Sequence, residues 1–333
     1  MNDYNKRLEK IEAALKSWLP DNADTAWAER IFPGVGGKVN IESINTMIEP
    51  LRDILSRGGK RWRPLLMTLI CESLGGGEAA IPLSPLVEFP HNASLIHDDI
   101  EDDSDERRGK PAVHKIYGID TAINSGSFFY FLSTCCIDYS GSFAKEIIYK
   151  LWSECLRRLH LGQSMDINWH REVSFVPGLE EYYLMCGMKT GSLARLAAEL
   201  GSCTAGATPE KTLELGDAAE KMGIGFQILD DVKNLTTGNP GKKRGDDVVE
   251  GKKSLPVLLY LHKYPEKQKK VFYCFHAAKE NGIAAPEVED LIDILISSGV
   301  ITEAEEKGRS LINEAQKTFA ANTLLDGFFS LIS

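Results

Sequence analysis

The 333-residue sequence contains no run of eighteen apolar residues, so it predicts no membrane-spanning helix. Its first ten residues, MNDYNKRLEK, lack the apolar core of a secretory signal peptide, and we expect a cytoplasmic location. The sequence also lacks an excess of basic residues. Its net charge is −10, whereas proteins that bind nucleic acid usually carry a basic face, so we expect no nucleic-acid partner.

The seven cysteines are scattered, and they show neither metal-ligand spacing nor a disulfide framework. This distribution favours a reducing compartment. Apolar and polar residues do not alternate over segments of strand length. Apolar residues recur instead at helical spacing along nearly the whole chain, and the hydrophobic content of 43% is sufficient for a buried core. The sequence therefore predicts an all-α fold.

Helical periodicity begins at the N-terminus, where apolar residues between Leu8 and Leu19 share one face and Pro20 ends the segment. The other predicted helices cover residues 40–56, 62–75, 83–103, 120–139, 143–171, 179–204, 210–236, 253–263, 266–281, 286–298, 301–316 and 318–331. No strong repeat or long linker separates them. We therefore expect a single domain over residues 1–333, built from about ten to thirteen helices.

The stretch HNASLIHDDIEDDSDERRGKPAVH, residues 91–114, places six acidic residues within eight positions. Asp98 and Asp102 are four residues apart, so on a helix they share a face, and Asp99 lies beside them. At an effective dielectric constant of ~20, two carboxylates ~4 Å apart repel by about 4 kcal/mol. A divalent cation reverses that sign, and magnesium suits an all-oxygen site. The alternative for this motif alone is an exposed acidic helix end.

A second acidic stretch, GFQILDDVKN, follows much later in the chain. Gln227, Asp230, Asp231 and Asn234 occupy positions i, i+3, i+4 and i+7, which form one polar stripe on a helix. Such a stripe on an otherwise apolar helix is costly in a core unless it lines a site. The second stretch therefore makes a metal site more credible than the first stretch does alone.

Basic residues accompany the acidic stretches. Arg107 and Arg108 follow the first one, and arginine can bind phosphate through two parallel hydrogen bonds. Lys60 and Arg63 lie in GGKRWRP, where paired glycines let the backbone approach a ligand closely. Two more polar residues interrupt the apolar block MKTGSLARLAAELG, namely Lys189 and Thr190. Two metal-capable sites and several phosphate-binding groups together predict diphosphate substrates bridged by magnesium.

In these residues the chain resembles the trans-type isoprenyl diphosphate synthases, the polyprenyl synthetase family. Five blocks occur in the family's order and span residues 58–256: GGKRWRP, HDDIEDDSDERRGKPAVH, GQSMD, MKTGSLARLAAELG and FQILDDVKNLTTGNPGKKRGDDVVEGKKSLP. A DDxxD motif alone, such as the one that begins at Asp98, is weak support for the resemblance. Five ordered blocks that include an arginine pair are strong support.

The resemblance implies an isoprenoid-synthase helical bundle around a deep central cavity, with the two acidic motifs facing each other across its mouth. It implies three magnesium ions, held by Asp98 and Asp102 on one side and by Asp230 on the other. Asp99 and Asp231 are then adjacent acids. The family also leads us to expect a homodimer.

The substrates that the resemblance implies are isopentenyl diphosphate and an allylic diphosphate. The residues expected to hold isopentenyl diphosphate are Lys60, Arg63, His91 and Arg108. The residues expected to hold the allylic diphosphate are Arg107, Lys189, Thr190, Gln227, Asn234, Lys243 and Lys252. One departure from the family pattern is Asn234, where many farnesyl-type enzymes have aspartate, and it implies weaker metal coordination at that position.

The implied reaction begins with ionisation of the allylic carbon–oxygen bond, followed by attack of the isopentenyl double bond and loss of a proton. Oxygen atoms of Thr190 and Gln227, with the Lys189 carbonyl, are expected to stabilise the carbocation. No protein nucleophile is needed, and the sequence has no convincing Ser/His/Asp arrangement.

Product length should depend on the residues beneath the reacting carbons. Ala93 and Ser94 are small where farnesyl synthases generally place bulk, so a chain beyond fifteen carbons should fit. In SGSFFYFL, the residues Phe128, Phe129 or Phe131 could form a deeper floor, which favours geranylgeranyl diphosphate over a forty-carbon product. The alternatives are that these aromatics belong to the core and that the product is farnesyl diphosphate or a longer polyprenyl diphosphate.

Two rival functions fit parts of the pattern. A class I terpene cyclase has a similar first acidic motif, but it needs no second diphosphate site, so Lys60, Arg63, His91 and Arg108 count against it. A regulatory subunit of a heteromeric synthase commonly loses one acidic motif, whereas both motifs are present here. The sequence favours the chain-elongating enzyme.

Overall fold

The computed structural model describes residues 2–138, 145–238, 243–319, 324–325 and 328–329. These residues are predominantly α-helical, as the sequence predicts. They divide into two compact units, the first formed by Met1–Glu154, Leu196–Gly216 and Asn322–Ser333 and the second by Cys155–Arg195 and Asp217–Ala321. The single-domain organisation stays a prediction. Of the helices described, none combines the length and the apolar character that crossing a bilayer requires.

Among the residues that the structure describes, seven α-helices and a short hairpin lie wholly in the first unit. The helices are α1 (Asn2–Trp18), α2 (Thr25–Ile31), α3 (Ile41–Ser56), α4 (Trp62–Ser73), α5 (Pro85–Glu101), α6 (Val113–Tyr117) and α7 (Ile119–Asp138). Strands β1 (Glu106–Arg107) and β2 (Lys110–Pro111) pair in antiparallel fashion. On α1 the side chains of Ile11 and Leu15 are fully buried, which agrees with the apolar face predicted from the spacing.

Helices α5 and α7 pack extensively against each other. Phe89 packs on Phe129 with ring centroids 4.5 Å apart, and His97 stacks on Tyr130 at 5.7 Å. A Cβ atom on Gly126 would lie 2.9 Å from the His97 ring, so the absence of a side chain there permits the close approach. This packing fixes the helix that carries the first acidic motif.

Among the described residues, six α-helices lie wholly in the second unit: α9 (Leu179–Cys186), α12 (Asp246–Glu250), α13 (Leu255–Lys263), α14 (Gln268–Asn281), α15 (Pro286–Ser297) and α16 (Val300–Phe319). The division between the units falls within α8 (Lys145–Arg171), α10 (Ser192–Thr204) and α11 (Pro209–Thr236). The core of the second unit includes the buried side chains of Leu258, Phe275 and Leu291. These apolar contacts hold the second acidic motif on α11.

Several predicted boundaries differ from the structure. The predicted helix 179–204 is α9 and α10, joined by a π-helical turn at Gly187–Gly191. The predicted helix 83–103 ends at Glu101, because the backbone turns at Asp103, where φ is 50°. Helices α2 and α6 and the hairpin were not predicted. Residues 320–323, 326–327 and 330–331 of the predicted last helix lie outside the described residues.

Candidate active site

The first acidic motif lies at the C-terminal end of α5. Asp98 and Asp99 are in its last turn, and Asp102 is its C-cap, with its backbone N–H donating to the Asp98 carbonyl at 2.9 Å. Asp103 turns away, and its carboxylate accepts a hydrogen bond from Lys115 Nζ at 2.8 Å. Asp98 and Asp102 are therefore one helical turn apart, as predicted, although Asp102 ends the helix instead of continuing it.

A two-residue turn then places the arginine pair. Arg108 and Gly109 have φ angles of 54° and 73°, which is the backbone of a type I′ turn between β1 and β2. The side chain of Arg57 secures this hairpin, because its Nη1 donates to the carbonyls of Arg107 at 3.2 Å and Pro111 at 2.9 Å. The hairpin sends the two arginine side chains to different partners.

Arg107 binds the carboxylates of the motif. Its Nε donates to Asp99 Oδ1 at 2.8 Å, and its Nη2 contacts Asp98 Oδ2 at 3.4 Å. Burial lowers the pKa of Arg107, but the hydrogen bond and attraction to Asp99 outweigh burial and raise that pKa above its usual value. Arg107 thus supplies a permanent positive charge beside the carboxylates of the first acidic motif.

The four residues predicted to hold isopentenyl diphosphate lie in the same unit. Lys60 is exposed in the loop before α4, and the Arg63 guanidinium lies 4.4 Å from the centroid of the Trp62 ring. Burial, followed by the charges of Arg63 and Arg108, lowers the pKa of His91 well below its usual value. His91 is therefore a neutral hydrogen-bonding group within a cationic cluster that suits an anion.

In the second unit, the π-helical turn Gly187–Gly191 carries Lys189 and Thr190. This turn lies close to α8, because a Cβ atom on Gly162 would be only 2.4 Å from the Lys189 backbone nitrogen. It also lies close to α11, because a Cβ atom on Gly223 would be 2.7 Å from Gly191 Cα. Glycines thus create the space for a turn type that is frequent at functional sites.

Lys189 pairs with Asp166, a residue that the sequence analysis did not select. Lys189 Nζ donates to Asp166 Oδ2 at 2.5 Å, and His170 Nε2 lies 2.8 Å from Asp166 Oδ1. Burial raises the pKa of Asp166, but attraction to Lys189 and His170 outweighs burial and holds that pKa well below its usual range. An ionised Asp166 therefore keeps the Lys189 side chain in place.

A chain of polar contacts connects the π-helical turn to the second acidic motif. Thr190 Oγ1 donates to Gln227 Oε1 at 2.7 Å, and Gln227 Nε2 donates to Asp231 Oδ1 at 2.9 Å. The Tyr182 hydroxyl donates to Asp231 Oδ2 at 2.7 Å. Burial is the largest cause that raises the pKa of Asp231 to about 7. Asp230, by contrast, is exposed, so the predicted stripe divides into an outer and an inner acid.

The remaining predicted residues of this group differ in exposure. Asn234 is buried, and its amide oxygen accepts the Asp247 N–H at 3.2 Å. Lys243 is exposed, and Lys252 Nζ lies 2.5 Å from Glu250 and 3.4 Å from Asp247. A cavity of about 40 Å³ is lined by Asp166, Tyr182, Met185, Cys186, Lys189, Gln227, Asp231, Lys252, Lys253 and Ser254.

The five residues proposed to set product length lie in the first unit. Ala93 is fully buried, and Ser94 Oγ donates to the His91 carbonyl at 2.8 Å. Phe128 is half-buried and stacks on Phe32 with ring centroids 5.5 Å apart. Phe129 is fully buried against α5, whereas 65% of Phe131 is exposed. Phe131 is therefore not enclosed by this chain.

Comparison with known proteins places the chain in a family. The sequence profile described as polyprenyl synthetase matches residues 44–293. The chain belongs to the polyprenyl synthetase family. It is 36% identical over 256 residues to geranylgeranyl pyrophosphate synthase 3, chloroplastic, of Arabidopsis thaliana. The aligned region covers 73% of this chain and 71% of that protein. It is 32% identical over 274 residues to geranylfarnesyl diphosphate synthase of Aeropyrum pernix, covering 79% and 83%.

Among solved structures, the chain is similar to a geranylgeranyl pyrophosphate synthase from Corynebacterium glutamicum complexed with isoprenyl diphosphate and magnesium. The TM-score is 0.81 at 22% identity, and the match covers 98% of this chain and 97% of that one. The predicted family, the all-α isoprenoid-synthase fold and the enzyme class, a trans-isoprenyl diphosphate synthase, are confirmed.

The buried amine of Lys253 predicts that the stability of this polyprenyl synthetase depends on pH. Its side chain is 3% exposed, its Nζ lies 4.8 Å from the Phe275 ring centroid, and burial lowers its pKa to about 8. Between this pKa and the ordinary lysine value, the unfolded chain binds more protons, so stability should rise with pH, by at most about 1.4 kcal/mol per unit. Lys253→Met should remove this component, which thermal melts from pH 7 to 10 would show as a shallower slope; an unchanged slope would contradict it.

Proposed function

We propose that this prenyltransferase joins isopentenyl diphosphate to an allylic diphosphate, with geranylgeranyl diphosphate as the final product. The observation that carries the proposal is the cationic cluster around His91, close in sequence and within one unit to the carboxylates that bind Arg107. A second diphosphate needs cationic groups beyond those that bind the first, and a terpene cyclase does not.

The acidic residues fit magnesium by the chemistry of their donors. In the described part of the chain, no three carboxylate, cysteine or histidine side chains converge into a complete metal site. Magnesium usually binds one or two carboxylates and completes its shell with water and substrate phosphates, so a complete protein cage is not required. We propose that Asp98, Asp102 and Asp230 hold three ions, with Asp99 and Asp231 as adjacent acids. When bound, magnesium neutralises charge on the departing diphosphate.

The residues around the acids have separate proposed roles. Lys60, Arg63, His91 and Arg108 hold isopentenyl diphosphate. The groups that hold the allylic diphosphate are Arg107, Lys189, Thr190, Gln227, Asn234, Lys243 and Lys252. Positive charge that is already in place stabilises the leaving diphosphate without reorganisation during the reaction. Asn234 is buried, so its proposed part in holding that diphosphate is indirect, through the Asp247 backbone N–H that its amide oxygen accepts at 3.2 Å.

Ionisation of the allylic carbon–oxygen bond releases diphosphate and leaves a carbocation. The oxygens of Thr190 and Gln227, which share a hydrogen bond of 2.7 Å, and the Lys189 carbonyl stabilise that cation. The isopentenyl double bond attacks it, a new carbon–carbon bond forms, and the released diphosphate accepts the proton that is lost. The chain itself supplies no nucleophile.

Product length gives a second testable property. Small residues at Ala93 and Ser94 leave room below Asp98, and Phe128 is the proposed barrier. Phe128→Ala should shift the main product by at least one five-carbon unit, because removing the ring opens space of about one prenyl group. Products would be identified by mass spectrometry. Phe175→Ala is the control, since Phe175 is a 40% exposed aromatic that lies in the second unit; equal product distributions in both variants would contradict the assignment.

We also propose a homodimer in the cytoplasm. Apolar side chains on α7 support the dimer, because Ile119, Ile123 and Phe131 are 57%, 45% and 65% exposed. A row of exposed apolar residues is typical of a protein–protein interface. Sedimentation analysis of the wild type and of Ile123→Glu would test it: the wild type should sediment as a dimer and the variant as a smaller species.

One assay tests the proposed function against its rivals. The purified chain is incubated with magnesium, isopentenyl diphosphate and each allylic diphosphate from five to twenty carbons, and products are identified by mass. Consumption of the allylic substrate without isopentenyl diphosphate would indicate a terpene cyclase. Activity that appears only with a second chain would indicate a regulatory subunit.

A further inference from the structure

The loop that carries Lys60 is held between two arginines. The Gly58 carbonyl accepts hydrogen bonds from Arg61 Nη1 at 3.1 Å and from Arg108 Nη1 at 2.6 Å. Both arginines have left-handed backbones, with φ angles of 47° and 54°, which residues other than glycine rarely adopt. A Cβ atom on Gly59 would lie 3.0 Å from Arg61 Nη1 and 3.3 Å from Arg108 Nη2. The two guanidinium groups therefore define the loop's position.

A buried carboxylate connects these two arginines. Glu88 on α5 is 2% exposed, and its Oε1 accepts hydrogen bonds from Arg61 Nη1 and Asn92 Nδ2, each at 3.0 Å. The amide oxygen of Asn92 accepts a hydrogen bond from Arg108 Nη1 at 3.1 Å. Glu88 and Asn92 are one helical turn apart, so they share a face. Glu88 thus contacts Arg61 directly and reaches Arg108 through Asn92.

The positive charges near Glu88 explain why a carboxylate is buried at this position. The cationic cluster around His91 contains Arg61, Arg63, Arg107 and Arg108. Like charges at this density repel each other, and they would move apart unless something fixes them. Attraction to Glu88 acts on Arg108 as well as on Arg61. A buried carboxylate whose Oε1 accepts hydrogen bonds from both Arg61 and Asn92 supplies that constraint.

We propose that Glu88 is a positioning residue for isopentenyl diphosphate, acting through Arg61 and Asn92 on Arg108 and on the loop that carries Lys60. This inference rests on the proposed function, which assigns Lys60 and Arg108 to that substrate. Removing the carboxylate leaves Arg61 and Arg108 in the chain, but their guanidinium groups are no longer held in fixed positions. Binding of isopentenyl diphosphate should therefore weaken, whereas binding of the allylic diphosphate, assigned to other residues, should not.

Steady-state kinetics of the full chain with magnesium test this. In Glu88→Gln and in Asn92→Ala, the KM for isopentenyl diphosphate should rise about tenfold, with the allylic KM and kcat changed by less than about twofold. Glu12→Gln is the matched control. Glu12 Oε1 also accepts a hydrogen bond from Arg61, at 2.7 Å, but the Glu12 side chain is 45% exposed, and we expect no change in either KM.

The kinetic results distinguish a failure of the positioning role of Glu88 from a failure of the proposed function. Equal rises in both KM values, or no rise in either variant, would overturn the positioning role while wild-type turnover leaves the proposed function intact. A wild-type chain that turns over no substrate pair would overturn the proposed function and this inference with it. Asn92→Ala keeps the Arg61–Glu88 ion pair, so it answers the question even if Glu88→Gln fails to fold.

Discussion

Replacing Asp98 by asparagine is expected to lower kcat/KM for the condensation by about a thousandfold. The amide keeps the shape of the side chain and one oxygen, but it removes the negative charge that a magnesium ion requires. Arg107 would also lose one of its two carboxylate partners in the motif, since its Nη2 lies 3.4 Å from Asp98 Oδ2. The magnesium concentration for half-maximal rate should rise as well, and a titration of rate against magnesium measures both effects.

Asp103→Asn is the matched control for this prediction. Asp103 belongs to the same acidic stretch, but it is exposed and its carboxylate pairs with Lys115. Asparagine tolerates the left-handed backbone at this position, where φ is 50°. Exposed ion pairs contribute little, so activity should stay within about twofold of the wild type. If the two variants behaved alike, the metal would not depend on Asp98.

The helices were predictable because their signals are local. Apolar spacing and turn residues place α3, α4, α7 and α11 to within a few residues of the structure. The hairpin was missed because two-residue strands are too short to show alternation, although the Arg108–Gly109 pair is a plausible type I′ turn. The π-helical turn was missed for a different reason. Its extra residue depends on glycines in two other helices, which no local pattern reveals.

The site shows the same division between local and distant causes. Asp98 and Asp102 were grouped correctly because one turn of one helix relates them. The inward direction of Asp231 depends on the Tyr182 hydroxyl, forty-nine positions away, so the stripe alone does not distinguish it from Asp230. Asp166 was named from the sequence only as part of the GQSMD block, with no role assigned to it. Its role follows only from the contact with Lys189.

Gly162→Ala is expected to reduce activity by about a hundredfold, through a steric effect on a neighbouring element. In most helices this change is favourable, because alanine has the higher helix propensity by about 1 kcal/mol. Here the new Cβ atom would lie 2.4 Å from the Lys189 nitrogen and 2.9 Å from its Cα. Both are backbone atoms, so α8 or the π-helical turn must move. The displacement carries Lys189 and Thr190 away from their partners Asp166 and Gln227.

Overpacking of this kind should also lower the free energy of unfolding by about 1–3 kcal/mol, which urea denaturation would measure. Gly178→Ala is the matched control in the same unit, because a Cβ atom there would lie 3.8 Å from its nearest neighbour and φ is −68°. That variant should keep near-wild-type activity. A fully active Gly162→Ala enzyme would show that the position of the π-helical turn tolerates displacement. Lys189 and Thr190 would then act without the rigid placement that their hydrogen bonds to Asp166 and Gln227 suggest.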